Sequence, residues 1–478
     1  MLKKHISLSI CQELKFEPTA DQKHAIDELS DFLTSSQNDS LFLLKGYAGT
    51  GKTTLVSALV ASLSKMEIKT VLLAPTGRAA KVLSHYCGHN AHTIHKKIYR
   101  QKSLTDGFGI FNLDRNLSRD TIFLVDEASM ISNYSNEASA FGSGCLLDDL
   151  IDYVSAGVNC RLILIGDVAQ LPPIGIDVSP ALDPKELESC YNLTVKEVVL
   201  TQVLRQAEES GILKNATELR RMLDENESGY PKLETQRFPD IVRISGAELI
   251  EEISSAHYKY GLEETMVLSR SNKRANQYNQ GIRNSILYRE DEITVGDYLM
   301  VVKNNYFWTA DVKEIDFIAN GDIVEIVRIG KYVELYGFRY VEVSVRFPDY
   351  KDLELDTLIM LDTLNIESAS LTSEDNKKLF FTISEDYADI HSKKKRFEKV
   401  RNNKFFNALQ VKFAYAITCH KAQGGQWRAV FVDQGFINED MLNREYYRWL
   451  YTALTRATEK LYLVNFKKEF FPNEEIDL

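Results

Sequence analysis

The chain of 478 residues is 44% hydrophobic and carries a net charge of −11. That length fills more than one core, so two to four domains are expected, and the acidic balance excludes a surface coated in phosphate-binding cations while leaving room for a local basic groove. Cys11, Cys87, Cys145, Cys160, Cys190 and Cys419 form no C-x-x-C pair, which suits a reducing cytosol and argues against a disulfide framework or a Cys-rich zinc site.

No secretory leader and no apolar run long enough to span a bilayer is evident, so a cytoplasmic chain without membrane contact is expected. In chain order, the first strong signal is the apolar strand Leu41-Phe42-Leu43-Leu44. It runs into Gly46-Tyr47-Ala48-Gly49-Thr50-Gly51-Lys52-Thr53 and then an amphipathic helix from Thr54 to Met66. A strand, a Gly-rich turn and a helix N-terminus aim backbone N–H groups at one point, which suits a triphosphate. Gly46, Ala48, Gly49, Thr50, Gly51, Lys52, Thr53 and Thr54 are therefore the expected ATP-binding set. Lys52 would reach the β- and γ-phosphates, and the Thr53 hydroxyl would help hold Mg²⁺.

Val71 to Ala74 reads as a strand ending in Pro75-Thr76-Gly77, with a helix from Arg78 to Ser84. His85, Cys87, His89, His92 and His95 follow closely but match no common zinc spacing. Thr121 to Val125 ends in Asp126-Glu127, and Arg161 to Ile165 runs into Gly166-Asp167 and Gln170. This rhythm predicts an α/β fold with a parallel sheet whose strand ends carry the chemistry. Asp126 would coordinate Mg²⁺, Glu127 would orient and deprotonate the attacking water, and Gln170 would sense the γ-phosphate.

The rhythm returns after residue 260. Met266 to Ser269, Val411 to Ile417, Ala429 to Val432 and Leu461 to Val464 read as strands, and Arg444 to Ala457 as a helix carrying Arg456. This half has no phosphate loop; it offers an arginine to close the site from the opposite side. Arg456 is the expected arginine finger and Arg205 a second candidate. Basic clusters at Lys96, Lys97, Arg100 and Lys102 and from Lys393 to Lys404 read, by themselves, as solvated faces.

Taken in order, these segments resemble the superfamily 1B helicases, and the RecD and Dda branch most closely, over most of residues 16–465. Thr19-Ala20-Asp21-Gln22 looks like the adenine-reading Q motif, with Gln22 on the base edge, and the phosphate loop is motif I. Ala74 to Ala80 is similar to motif Ia, and His92 to His95 to motif Ib. Leu124 to Met130 looks like motif II, Leu164 to Ile174 like motif III, and Leu204-Arg205-Gln206 like motif IV. Thr418 to Gly424 looks like motif V, bringing Gly424 toward the nucleotide, and Tyr451 to Ala457 like motif VI.

The resemblance implies two RecA-like parallel-sheet domains with an ATP cleft between them. It also implies ATP hydrolysis with Mg²⁺, and 5′-to-3′ movement along single-stranded DNA. Pro75, Thr76, Arg78, Thr93, His95, Thr418, His420 and Lys421 match positions that track the DNA strand. Residues 1–96 and 121–200 would form domain 1A, and 201–319 with 409–478 domain 2A. Residues 97–120 would hold a small 1B pin, in which Phe108 is either the wedge at the tip or packed on its own domain. Residues 320–408 would hold an SH3-like 2B insertion, with an extra helical or tower element in 351–404. The long N-terminal region of larger RecD-type helicases is not seen.

The expected partners are single-stranded and tailed duplex DNA, with single-strand-binding, repair or replication proteins as further candidates, and the expected state is a monomer. Repair, replication and recombination stay undivided. An RNA or RNA–DNA helicase stays open, because contacts to the 2′-hydroxyl leave no readable motif. A translocase without independent unwinding also stays open. The second motif-bearing half argues against a nucleotide kinase, and intact Lys52, Thr53, Asp126 and Glu127 argue against a non-catalytic clamp.

Overall fold

The computed structural model describes residues 2–471, apart from Lys15, Ser36, Asn38, 102–110, 134–140, 204–208, Asp311, Lys313, Asp316, Lys351 and the side chain of Gln101. Phe108 and Arg205 therefore lie outside the described residues.

The first half is a six-stranded parallel sheet. Its strands are β1 (Ser40–Gly46), β2 (Lys69–Ala74), β3 (Ala91–Thr93), β6 (Thr121–Val125), β7 (Arg161–Gly166) and β8 (Thr194–Leu200), in the order β3-β2-β6-β7-β1-β8. Between β3 and β6, β4 (Tyr99–Gln101) and β5 (Phe111–Leu113) pair as a short antiparallel ribbon. The central strands are apolar runs because both faces are covered. Along β1, Phe42 and Leu44 face the helices Ala20–Thr34 and Lys52–Lys65, while Leu41 and Leu43 face the opposite core. The helix Leu2–Glu13, which no sequence signal singled out, adds Ile6 and Ile10 to the first of these cores.

The second half is a five-stranded parallel sheet fused to a closed barrel. The sheet comprises β9 (Ile241–Ile244), β10 (Thr265–Ser269), β16 (Ala416–Thr418), β17 (Trp427–Asp433) and β18 (Ala457–Val464), in the order β16-β10-β17-β18-β9. The barrel comprises β11 (Tyr298–Val301), β12 (Ile323–Leu335), β13 (Phe338–Phe347), β14 (Leu353–Met360) and β15 (Leu409–Phe413). Val267 and Phe431 from the sheet share one apolar core with Leu299, Val324 and Val411 from the barrel. The barrel thus draws strands from both sides of the expected 320–408 stretch. The helices Ser373–Glu385 and Lys393–Arg401 lie within that stretch, and pack Leu379, Ile383 and Val400 over Tyr340, Leu358 and Met360.

Two sequence readings need correction. The run from Val411 to Ile417 is not one strand: β15 closes the barrel and β16 edges the sheet. Asn279 holds the break, donating to the Phe413 and Ala416 carbonyls (3.0 and 2.9 Å) and accepting from the Tyr415 and Ala416 amides (3.0 and 2.7 Å). The helix expected from Arg444 to Ala457 stops at Leu454, so Arg456 stands in the turn before β18, with Ala457 already in the strand.

Candidate nucleotide cleft and nucleic-acid interface

The turn after β1 needs its glycines. Gly49 and Gly51 sit at φ 76° and 79°, the left-handed region that costs little only without a Cβ. A Cβ on Gly46 would come within 2.9 Å of Lys52. The helix Lys52–Lys65 then starts with its amide end toward a cavity of about 430 Å³. Ala48, Gly49, Gly51, Lys52, Thr53, Thr54, Asp126, Glu127 and Gln170 line one side, and Arg456 lines the other.

Lys52 and Arg456, the cations of this cavity, each have a carboxylate within loose reach. Lys52 Nζ donates to the Gly46 and Tyr47 carbonyls (2.5 and 2.9 Å) and lies 3.7 Å from Asp167 Oδ2. Arg456 Nη1 lies 3.8 Å from Glu127 Oε1 while its guanidinium donates to the Gly425 and Thr452 carbonyls. Asp126 follows β6 and accepts from the Glu127 amide at 2.8 Å. Burial, then the charge of Glu127, pushes the Asp126 carboxyl up to about 6, against the pull of Lys52. Gln170 is buried with an Oε1 that has no hydrogen-bond partner among the described residues.

These donors fit Mg²⁺ and a polyphosphate. A hydroxyl and a carboxylate are hard oxygen ligands, and Mg²⁺ is commonly held by one or two such groups plus substrate phosphates. Among the described residues no three His, Cys, Asp or Glu side chains cluster as a metal cage. Gln170, whose Oε1 is buried without a partner among the described residues, also lines this space.

Sequence reasoning missed the residue that ties the cleft together. Tyr451 is buried, accepts from the Ala48 amide at 2.7 Å and donates to Asp167 Oδ2 at 2.7 Å. Its neighbour Thr452 accepts from the Leu171 amide (2.8 Å), and Gln423 donates to the Leu171 carbonyl (2.5 Å). The phosphate loop and the loop after β7 are therefore bonded directly to the second half.

Comparison with known proteins gives the same two-part division. Residues 17–230 match the AAA domain family, and residues 413–464 match the UvrD-like helicase C-terminal domain. The ATP-dependent RecD2 DNA helicase of Deinococcus radiodurans is 29% identical over 202 residues, covering 42% of this chain and 24% of its own length. The ATP-dependent DNA helicase dda of Enterobacteria phage T4 is 24% identical over 428 residues, 82% of this chain and 86% of its own. A solved structure of Pif1 helicase from Bacteroides in complex with ADP-AlF3 and ssDNA covers 96% of this chain and 95% of that one, at 15% identity and a TM-score of 0.48. The chain is thus similar to RecD-type and Dda helicases and matches an AAA domain and a UvrD-like helicase C-terminal domain.

The remaining expected residues separate into three groups. Lys421 fits an anionic strand: its Nζ is buried without a partner among the described residues, and burial with nearby Lys412 pushes it down to about 8. Thr418 and His420 stand half-buried in the same turn, where burial lowers the His420 pKa. Pro75 and Thr76 lie at the end of β2, and the Thr76 hydroxyl caps the helix Gly77–Cys87 by accepting from the Ala79 amide.

Arg78, Thr93 and His95 are engaged with protein groups. Arg78 stacks over Trp427 at 4.2 Å and donates to the Gln426 carbonyl at 3.0 Å, bridging the two halves. Thr93 caps the short helix Ile94–Ile98. His95 packs edge-on to Phe141 at 4.8 Å, near Tyr99 and Phe317, and burial pushes it down to about 4. A neutral imidazole among aromatic rings offers no charge to a phosphate.

Two nucleotide assignments are redirected. Gln22 is fully buried: its Oε1 accepts from the Thr19 amide in a capping box, and its Nε2 donates to the Thr50 carbonyl at 3.1 Å. One end of the amide caps its own helix and the other braces the phosphate loop. Gly424 does not line the cleft cavity; a Cβ there would meet Ala79 Cβ at 2.8 Å and Thr76 Oγ1 at 3.1 Å. Its glycine serves the close approach of the two halves.

Proposed function

We propose that this chain is an ATP-dependent 5′-to-3′ DNA helicase, a motor that moves along single-stranded DNA and opens duplexes. The observation that carries the reading is the opposition across one cavity of Lys52, Asp126 and Glu127 to Arg456, on two parallel sheets joined by the Tyr451 bridge. Polarity and preference for DNA rest on the motif resemblance.

Thr53 and Asp126 would hold Mg²⁺. ATP with Mg²⁺ would supply the phosphoryl group and neutralise charge on its oxygens. Lys52, now bonded to two carbonyls, exchanges them for phosphate oxygens. Glu127 takes a proton from the attacking water, and Gln170 orients that water through its free Oε1. Arg456 leaves the Gly425 and Thr452 carbonyls to meet charge on the transferring group, with Arg205 as its second. Because Tyr451, Thr452 and Gln423 bond the loops that hold these groups, closure of the cleft moves the second sheet and the barrel with it. Lys421, Thr418, His420, Pro75 and Thr76 then grip the strand.

In this reading the ribbon β4–β5 is the root of the 1B pin and the barrel is the SH3-like 2B unit. The protein works as a cytoplasmic monomer in repair, replication or recombination. Strand displacement on matched duplexes with a 5′ or a 3′ single-stranded tail tests it, with Lys52→Ala as control. Unwinding only from the 5′ tail is expected. Unwinding from the 3′ tail would reverse the polarity, and ATPase stimulated by DNA without strand separation would leave a translocase.

A further inference from the structure

A second cavity, of about 270 Å³, opens along the seam between the two halves and shares Tyr47 with the nucleotide cleft. Its charged lining is Lys45 and Asp183 from one half and Asp224, Arg444 and Arg448 from the other. Three of these charges are answered. Lys45 Nζ lies 2.6 Å from Glu197 Oε1. Asp183 accepts from the amides of Lys185 and Glu186 at the start of the helix Pro184–Tyr191. Asp224 accepts from the Tyr47 hydroxyl at 3.4 Å and stands 3.9 Å from Arg220 Nε.

The two arginines form no ion pair among the described residues. Exposed Arg444 reaches Asn226 Oδ1 at 3.5 Å, and Arg448 donates to the Asp177 carbonyl. Arg448 is 5% exposed, and its Nε has no hydrogen-bond partner among the described residues. Burial and then the adjacent Arg444 charge both push this guanidinium down, with Asp177 opposing them. Buried charges are ordinarily retained only with a counter-charge. Both arginines also stand in the first turns of the helix Arg444–Leu454, the positive end of its dipole. Glu445, the acid of that turn, acts on His420 instead.

We propose that this second cavity binds a phosphate-type oxyanion, held by the guanidinium groups of Arg448 and Arg444 with Lys45 behind them. The planar guanidinium fork matches such an anion in two-point contact. The source is either free phosphate or pyrophosphate, or a backbone phosphate of a nucleic acid. Because both halves line the cavity, its occupant ties them together at a point separate from the nucleotide cleft.

The test is thermal unfolding of the full-length Lys52→Ala protein, which lacks the lysine of the phosphate loop, titrated without Mg²⁺ with inorganic pyrophosphate, orthophosphate or a short single-stranded oligonucleotide. A saturable rise in the unfolding midpoint is expected, with the apparent Kd weakened about tenfold by adding Arg444→Gln and binding lost on adding Arg448→Gln. Arg444→Gln is exposed and leaves the fold intact, so the test does not depend on the buried variant. A rise with inorganic anions that Arg444→Gln weakens identifies a free oxyanion; a rise with the oligonucleotide alone that Arg444→Gln weakens identifies a backbone phosphate, since binding in the strand groove would be equal in both proteins. An equal rise in all variants, or none in the Lys52→Ala protein with any probe, overturns the proposal. The readout needs no ATP turnover, so it stands or falls apart from the helicase reading.

Discussion

The two cavities along the seam follow opposite electrostatic rules. In the nucleotide cleft, Lys52 stands 3.7 Å from Asp167 and Arg456 3.8 Å from Glu127, so each cation has a carboxylate just beyond hydrogen-bond range. In the second cavity, Arg444 and Arg448 bond only amide or carbonyl oxygens and form no ion pair among the described residues, although Asp177, Asp183 and Asp224 stand nearby. Loosely paired charges exchange partners at small cost, as a cycling site requires. Unpaired buried charge favours a resident anion. The same seam therefore holds one site suited to turnover and one suited to retention.

Breaking the paired cavity has the largest expected effect. Lys52→Ala or Glu127→Gln should lower steady-state ATP hydrolysis by about 10²–10³-fold or more, read as phosphate release. A Glu127→Gln protein within tenfold of wild type would remove Glu127 from the chemistry. Tyr451→Phe should act next. It deletes the hydroxyl between the Ala48 amide and the Asp167 carboxylate but keeps the ring, leaving a buried carboxylate short of a donor. A fall in kcat of about tenfold is expected, with the KM for ATP changing less than about threefold. Loss in step with the melting temperature would instead make Tyr451 a structural residue.

The pairing also has a pH signature. Asp126 titrates near 6 rather than at its ordinary 3.8, so its carboxylate is lost as pH falls through that value, and Mg²⁺ competes with the proton for the same oxygens. Hydrolysis should drop below about pH 6, and excess Mg²⁺ should move the drop to lower pH. A fall at the same pH whatever the Mg²⁺ concentration would separate Asp126 from the metal.

How far the sequence foretold these sites depended on the reach of the interactions. The phosphate loop was legible because its glycines, lysine and threonine act within one turn of chain. The parallel sheets were legible for a similar reason, since buried strands are short apolar runs such as Leu41 to Leu44. The break between β15 and β16 was not, because Asn279, more than 130 residues away, fixes it. Gly424 looked like a nucleotide contact, yet its constraint is the helix Gly77–Cys87 across the seam. Tyr451 did leave a signal: a tyrosine five residues ahead of Arg456, following Trp449 and Leu450, has a hydroxyl to satisfy. His95 and Gln22 carried the right chemistry in the right motif, but their surroundings, aromatic rings and a capping box, are set by the fold.

The smallest expected effect lies at a third point where the halves meet, and there a proton does the balancing. Asp322, 4% exposed, accepts from the Ala319 amide at 2.7 Å and from the Tyr350 hydroxyl at 3.2 Å. It sits against the start of the helix Gly77–Cys87, where a Cβ on Gly77 would come within 2.9 Å of its Oδ1. Burial first, and then Asp349, push its carboxyl up to about 7, against the amide and the hydroxyl. The folded chain thus holds a proton that the unfolded chain releases near 3.8. Stability from this group is full below that pH and is lost as pH rises toward 7. Asp322→Asn keeps the shape without the charge, so it should raise stability by on the order of 1 kcal/mol at pH 8, after relaxation and water entry, and give no gain at pH 4. Calorimetry at the two pH values checks this. An equal shift at both would mean that the carboxyl titrates alike in the folded and unfolded chain, so that its burial beside the helix Gly77–Cys87 does not raise it.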